Sequence, residues 1–282
     1  MFGKTMNCKG KLINFGTPKV MGILNLTEDS FFDGGKYGNN PDNYLQRIET
    51  LLEEGADFID IGCMATNPQA KELSEDEELK TAETALKNIL PRFPDAIFSI
   101  DTWRSQVAQM AVAMGVSIIN DISGGEFDEK MFAAVAKLQV PYVVMHTSDK
   151  PEKMQQNTDY DDIVSNVFLY LSKKVEQLHL LGVNDVIIDM GFGFGKTMEQ
   201  NYELLRNLSV FKDLNCPVLV GISRKSMLCN LLNISPNEAL NATTVANTIA
   251  LLNGADILRV HDVKEAKEAV RIITNYELKI TN

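Results

Sequence analysis

The sequence predicts an α/β fold, a single (β/α)₈ TIM barrel, on three observations. From residue 20 onward, short β-rich apolar runs alternate with longer stretches of helical periodicity, the pattern of parallel strands joined by helical crossovers. A length of 282 residues suits one such barrel, typically ~250 residues. No low-complexity linker or abrupt change of composition divides the chain, so residues 1–282 are read as one domain.

The elements follow in order. Met6 to Cys8 and Lys11 to Asn14 flank Lys9-Gly10 and read as a β-hairpin closing the bottom of the barrel. The eight apolar runs are Val20 to Leu24, Asp57 to Ile61, Ala96 to Ile100, Ser117 to Ile119, Pro141 to Met145, Asp185 to Ile188, Pro217 to Val220 and Asp256 to Val260. Between the first two, Tyr44, Ile48, Leu51 and Leu52 mark one helical face, and Ala266, Ala269, Val270 and Ile273 repeat that spacing at the end. Gly55, Gly115, Gly182 and Gly254 stand just before strands, where a helix ends most cheaply on a left-handed residue. Gly55-Ala56-Asp57-Phe58-Ile59 recurs as Gly254-Ala255-Asp256-Ile257-Leu258, a weak internal repeat. Lys150 to Asp162 is polar enough for a long exposed loop.

Bulk composition narrows the function classes. With 45% hydrophobic and 23% charged residues the chain has material for a large core. No apolar run approaches the ~18 residues of a membrane span, and Met1 to Asn14 lacks the pattern of a secretory signal, so a cytoplasmic enzyme is expected. The net charge of −11 argues against nucleic acid as a partner and requires a local basic pocket for any anionic ligand. Cys8, Cys63, Cys216 and Cys229 are widely spaced and read as free thiols.

The informative pattern is where the polar residues fall. Nearly every apolar run ends in a group able to bind or transfer charge, at the rim where barrel active sites form. These are Asn25, Thr66 beyond Gly62, Asp101, Asn120 with Asp121, His146, Asp189, Ser223 with Lys225, and Arg259 with His261. Any one of them could merely cap a helix, as Asp29-Ser30 could. Capping does not account for Lys225, Arg259 and His261 in the same series. Asp101, Asn120 and Asp189 suit the hydrogen-bonding edge of a flat heterocycle, and Lys225 and Arg259 supply local positive charge. Gly191 to Thr197 is no nucleotide loop, because Met190 stands where a Walker motif needs glycine and Lys196 where a dinucleotide fingerprint does. His146, His179 and His261 lack zinc spacing.

These rim segments resemble the dihydropteroate synthases. Met21 to Thr27, Asp29-Ser30-Phe31 and Asp33-Gly34-Gly35 are similar to the family's first signature. Ser99-Ile100-Asp101-Thr102, Ile119 to Gly125, Val144-Met145-His146, Asp189 to Thr197, Gly221 to Ser226 and Arg259-Val260-His261-Asp262 follow in the family's order. The resemblance implies a synthase joining a pterin methyl diphosphate to p-aminobenzoate, commonly a homodimer. By the same likeness Asp101, Asn120, Asp189 and Lys225 hold the pterin, with Met145 and Ile122 as apolar walls. The diphosphate lies near Asn25, Arg259 and His261, and Asn25 ligates Mg²⁺. Ser223, Phe194 and Lys196 line the p-aminobenzoate pocket, and Thr66 and Asn67 belong to the substrate-binding loop after the second strand.

Two departures stand out. Asn67 replaces the family's usual arginine in that loop, and Glu28 replaces a proline in the first, placing negative charge where an anionic substrate should dock. Weaker loop closure, altered p-aminobenzoate affinity or sulfonamide tolerance is expected. Two other readings share the pterin cradle: a methyltetrahydrofolate-binding methyltransferase domain, which should not need Lys225 with Arg259 and His261, and a non-catalytic pterin-binding relative.

Overall fold

The computed structural model describes residues 4–26, 41–64, 73–151 and 153–278. An antiparallel hairpin opens it, β1 (Thr5–Cys8) against β2 (Lys11–Asn14), with Met6 paired to Ile13. Eight parallel strands then close into a barrel: β3 (Lys19–Asn25), β4 (Phe58–Gly62), β5 (Phe98–Asp101), β6 (Ile118–Asp121), β7 (Tyr142–Met145), β8 (Val186–Asp189), β9 (Val218–Val220) and β10 (Ile257–Val260). They neighbour one another in chain order, and β10 closes on β3. Around them lie α1 (Pro41–Glu53), α2 (Glu75–Ile89), α3 (Ser105–Met114), α4 (Met131–Leu138), α5 (Ile163–Leu180), α6 (Met198–Arg206), α7 (Ser226–Leu232), α8 (Leu240–Leu252) and α9 (Val263–Leu278). Each apolar run became one barrel strand, with ends shifted by at most two residues.

Alternation along each strand separates two cores. Val20, Leu24, Ile59, Ile61, Ile100, Ile119, Val144, Ile188, Val220 and Val260 pack outward with helical residues such as Ile48, Leu51, Val107, Val167 and Ala266. The other parity fills the barrel: Met21, Phe58, Ile97, Ile118, Val143, Ile187, Leu219 and Ile257 meet at its lower end. Met6, Cys8 and Phe15 of the hairpin segment join that second cluster, so the hairpin plugs the bottom as expected. Burying such a side chain stabilises by roughly 1.5–3 kcal/mol.

The weak repeat has a physical counterpart. Asp57 Oδ2 accepts from Val20 N at 2.8 Å and from Lys267 Nζ at 2.7 Å. Asp256 Oδ2 likewise accepts from Val218 N and from Lys4 Nζ, both at 2.8 Å. Each carboxylate ties the start of its own strand to a neighbouring chain segment and neutralises a lysine. The glycines two residues earlier, Gly55 and Gly254, have φ of +96° and +98°, the left-handed turn expected at a helix end. The polar loop before α5 is less open than its composition implied. Met154 in it is buried, a short 3₁₀ turn spans Met154–Gln156, and Asp162 caps α5 by accepting from Val164 N and Ser165 N.

Candidate active site

The inward parity carries the site. Two residues above the lower cluster stand Asp60, Ser99, Asn120, Met145, Asp189, Gly221 and Arg259. Four above it stand Asn25, Gly62, Asp101, Ile122, Ser223 and His261. Asp121 and His146 have the opposite parity and face the helices. Asp121 accepts from Tyr142 Oη at 2.6 Å, Ser123 N at 2.7 Å and Gly125 N at 3.0 Å, which holds the loop after β6. The His146 ring stacks edge-on against Tyr170 with centroids 4.9 Å apart. These two rim residues are scaffold.

At the centre of the mouth, Arg259 joins two carboxylates. Its Nε donates to Asp60 Oδ2 at 2.7 Å and its Nη2 to Asp101 Oδ2 at 2.8 Å. Asn120 Nδ2 donates to the same Asp60 oxygen at 2.8 Å. Four strands, β4, β5, β6 and β10, are thereby linked through one charged network. Burial pushes the Asp101 carboxyl up to about 7, with Arg259 opposing the rise and Asp60 adding to it. The sequence reads Arg259 as a source of local positive charge; the structure balances that charge against Asp60 and Asp101.

Asp189 and Lys225 form the adjoining wall. Burial raises the Asp189 carboxyl, while Lys225 and the Gly191 N–H, which donates to it at 2.7 Å, hold it down. Burial also brings the Lys225 ammonium down to about 8, with Asp189 opposing that fall. Lys225 Nζ donates to Phe192 O and lies 4.6 Å from the centre of the Phe194 ring, a cation–π contact. The loop between β8 and α6 folds tightly because a Cβ on Gly191 would stand 1.9 Å from His146 O. Thr197 closes it with a capping box onto Gln200.

Lys196, read from the sequence as a pocket-lining cation, is buried with its Nζ near three backbone carbonyls: Phe194 O at 2.8 Å, Gly191 O at 2.9 Å and His146 O at 3.3 Å. Burial lowers it to about 7. In this conformation its amine fastens the glycine-rich loop that presents Phe194.

On the opposite side, Ser223 Oγ meets His261 Nδ1 at 2.9 Å and accepts from the His261 backbone N–H at 3.3 Å. Arg47 Nη2 donates to His261 O at 2.6 Å. Arg224 grips Asp262 through Nε at 2.9 Å and Nη2 at 2.7 Å. Burial, reinforced by the surrounding cations Arg259, Arg224, Arg47 and Lys225, lowers His261 to about 3. It is therefore a neutral imidazole at physiological pH.

Met64, Trp103, Ile122 and Met145 form the apolar lining, with Leu73, Phe127 and Phe194 at its margin. Asn25 closes β3 beside Gly62, where a Cβ would stand 3.0 Å from Asn25 Oδ1 and 3.9 Å from Asp101 Oδ2. The structure thus brings Asn25, Asp101, Asn120, Ile122, Met145, Asp189, Phe194, Lys196, Ser223, Lys225, Arg259 and His261 to one mouth. Thr66, Asn67 and Glu28 lie outside the described residues. Sequence reading missed Asp60, Arg47, Met64 and Trp103. Asp60 was findable: it interrupts an apolar strand two residues after Phe58, on the parity that points into the barrel.

A family model described as pterin binding enzyme matches residues 21–261. Dihydropteroate synthase of Escherichia coli K12 is 38% identical over 267 residues, 94% of each chain. That of Haemophilus influenzae is 38% identical over 264 residues, 93% of this chain and 95% of its own. Among solved structures, Yersinia pestis dihydropteroate synthase with a sulfonamide drug superposes with a TM-score of 0.93 at 38% identity, covering 97% of this chain and 99% of that one. The Xanthomonas albilineans enzyme with 4-aminobenzoic acid gives 0.89 at 32% identity, covering 98% of both. By fold and by sequence, this chain belongs to the dihydropteroate synthase family of pterin-binding enzymes, transferases of folate biosynthesis.

Proposed function

We propose that the chain condenses 6-hydroxymethyl-7,8-dihydropterin diphosphate with p-aminobenzoate, giving 7,8-dihydropteroate and diphosphate. The observation that carries this reading is the meeting of Asp101, Asn120, Asp189, Lys225 and Arg259 in one mouth of a family member. Asp101, Asp189 and the Asn120 amide oxygen are acceptors for the N–H-rich edge of a pterin, with Ile122 and Met145 against its faces. Lys225 completes that pocket. Arg259 and His261 stand where the diphosphate departs, the one as a guanidinium and the other as a neutral N–H donor. The carbon–oxygen bond to diphosphate breaks, the electron-rich pterin stabilises the methylene carbon, and the aniline nitrogen bonds to that carbon and sheds a proton. No covalent enzyme intermediate is required.

Asn25, whose Oδ1 has room beside it because Gly62 carries no Cβ, would hold Mg²⁺ through its amide oxygen. Among the described residues no three His, Cys, Asp or Glu side chains gather as a metal group; substrate oxygens and water would complete the shell of a hard cation held by Asn25. Bound there, Mg²⁺ would supply Lewis-acid stabilisation of the diphosphate. Ser223, Phe194, Thr66 and Asn67 are assigned to the p-aminobenzoate side, Lys196 acting through the loop it fastens. Without an arginine at position 67 and with Glu28 in the first loop, the enzyme tolerates sulfonamides better than relatives that keep the arginine.

Residues 1–282 form one pterin-binding domain, and the cytoplasm is its proposed compartment; no helix among the described residues is long and apolar enough to cross a membrane. Val245, Ile249 and Leu252 form an exposed apolar stripe on α8, 52%, 40% and 50% accessible. That stripe supports a homodimer through the late helices. The decisive assay supplies pterin diphosphate, Mg²⁺ and radiolabelled p-aminobenzoate. Labelled dihydropteroate and diphosphate should appear in equal amounts; tight pterin binding with no diphosphate release would mean a non-catalytic relative.

A further inference from the structure

Asp60 is fully buried at mid-strand in β4, in the same inward-facing layer as Asn120 and Arg259. A carboxylate at such a place is costly unless it is paired. One of its oxygens, Oδ2, takes both Asn120 Nδ2 at 2.8 Å and Arg259 Nε at 2.7 Å, while Oδ1 is buried with no hydrogen-bond partner among the described residues. Satisfying Asp60 therefore does not account for its position. Its two partners are the side chains assigned above to the pterin and to the diphosphate.

We propose that Asp60 is a positioning residue for the condensation, fixing which atoms Asn120 and Arg259 turn toward the substrate. An asparagine amide can rotate by half a turn at little steric cost, exchanging a donor for an acceptor. Here the exchange would set Asn120 Oδ1 against a buried carboxylate oxygen, so the charge of Asp60 locks Nδ2 inward and Oδ1 outward. Outward Oδ1 is what an N–H-rich ring edge requires. Asp60 also holds the Nε edge of Arg259 while Asp101 holds Nη2, which fixes the plane of the guanidinium from two sides and leaves Nη1 uncommitted among the described residues. One buried carboxylate thus sets the polarity of the pterin pocket and the aim of the diphosphate cation together.

This inference rests on the proposed reaction, and its test separates the two. Asp60→Asn keeps the shape and removes the charge. It should lower kcat/KM for the pterin diphosphate by roughly ten- to hundred-fold, the range for an unmatched buried hydrogen bond, with KM for p-aminobenzoate unchanged within about two-fold. Because Asp60 acts only through its partners, the same substitution should cost less than about three-fold in an Asn120→Ala, Arg259→Ala background, read as affinity for the pterin diphosphate. Undiminished pterin diphosphate kinetics in Asp60→Asn, or an equal penalty in both backgrounds, overturns the proposal. Failure of the unaltered enzyme to bind pterin diphosphate overturns instead the reaction on which it rests. Should Asp60→Asn not fold, Asp60→Ser is tested by the rise in Tm that pterin diphosphate produces, which should shrink. Failure of both variants to fold would make Asp60 a support of the barrel and refute the positioning role.

Discussion

Replacing Arg259 with methionine keeps much of the side-chain volume and removes the one cation that, among the described residues, pairs with both Asp60 and Asp101. The Arg259 side chain is 20% accessible, and its partners are 0% and 12% accessible, so solvent screens the pairs little. Breaking a buried pair by deleting one partner costs about 3–5 kcal/mol. At ~2–4 °C of Tm per kcal/mol for chains near this size, the loss is roughly 10 °C. The cost should depend on pH, with a definite sign. Asp101 already stands near 7, and Arg259 is the leading influence holding it down, so the variant's Asp101 titrates higher still. Below about 7 both folded proteins keep the Asp101 proton and change in parallel; above it the parent's carboxyl ionises while the variant's folded state still binds the proton. Between about pH 5 and pH 8 the variant therefore loses stability relative to the parent, nearly all of it above about 7. Urea unfolding of both proteins at these two pH values measures it. A deficit below about 1 kcal/mol at pH 8, or one that does not grow with pH, would refute the pairing as drawn.

Other expectations follow from the same geometry. Lys225 loses its proton as pH rises through about 8, so affinity for the pterin diphosphate should fall on the alkaline side, and Lys225→Arg should move that limb upward in a binding titration. Gly191→Ala forces a Cβ to within 1.9 Å of His146 O at a φ of +67° and should abolish synthase turnover, with at least about 1–2 kcal/mol lost to left-handed backbone alone. An inhibition constant for sulfamethoxazole should tighten on Asn67→Arg; no change would exclude position 67 as the source of tolerance. Light scattering at micromolar concentration should give twice the 31.4 kDa chain mass, and Ile249→Glu on the exposed α8 stripe should halve it.

Much of this architecture was legible because strand periodicity and glycine punctuation are local properties. The alternating runs gave the barrel, Lys9-Gly10 gave the hairpin, and the run ends gave the rim. What stayed hidden depends on how strands face one another. Asp121 and His146 end strands as Asn120 and Met145 do, yet one residue of register turns them toward the helices. That Lys196 fastens its own loop stayed hidden because nothing local reveals three carbonyls closing around its amine. The inward position of Asp60 is legible from strand parity, but its partners are not, because they lie 60 and 199 positions away in the chain. Arg47 escaped for the same reason, touching His261 from 214 positions away.

A crystal structure with a non-hydrolysable pterin diphosphate analogue addresses the convergence of these residues most directly. The pterin edge should lie within hydrogen-bonding distance of Asp101, Asn120, Asp189 and Lys225, with the phosphonate toward Arg259 and His261. A ring bound elsewhere, with Asp101 and Asp189 still facing only Arg259 and Lys225, would contradict the account.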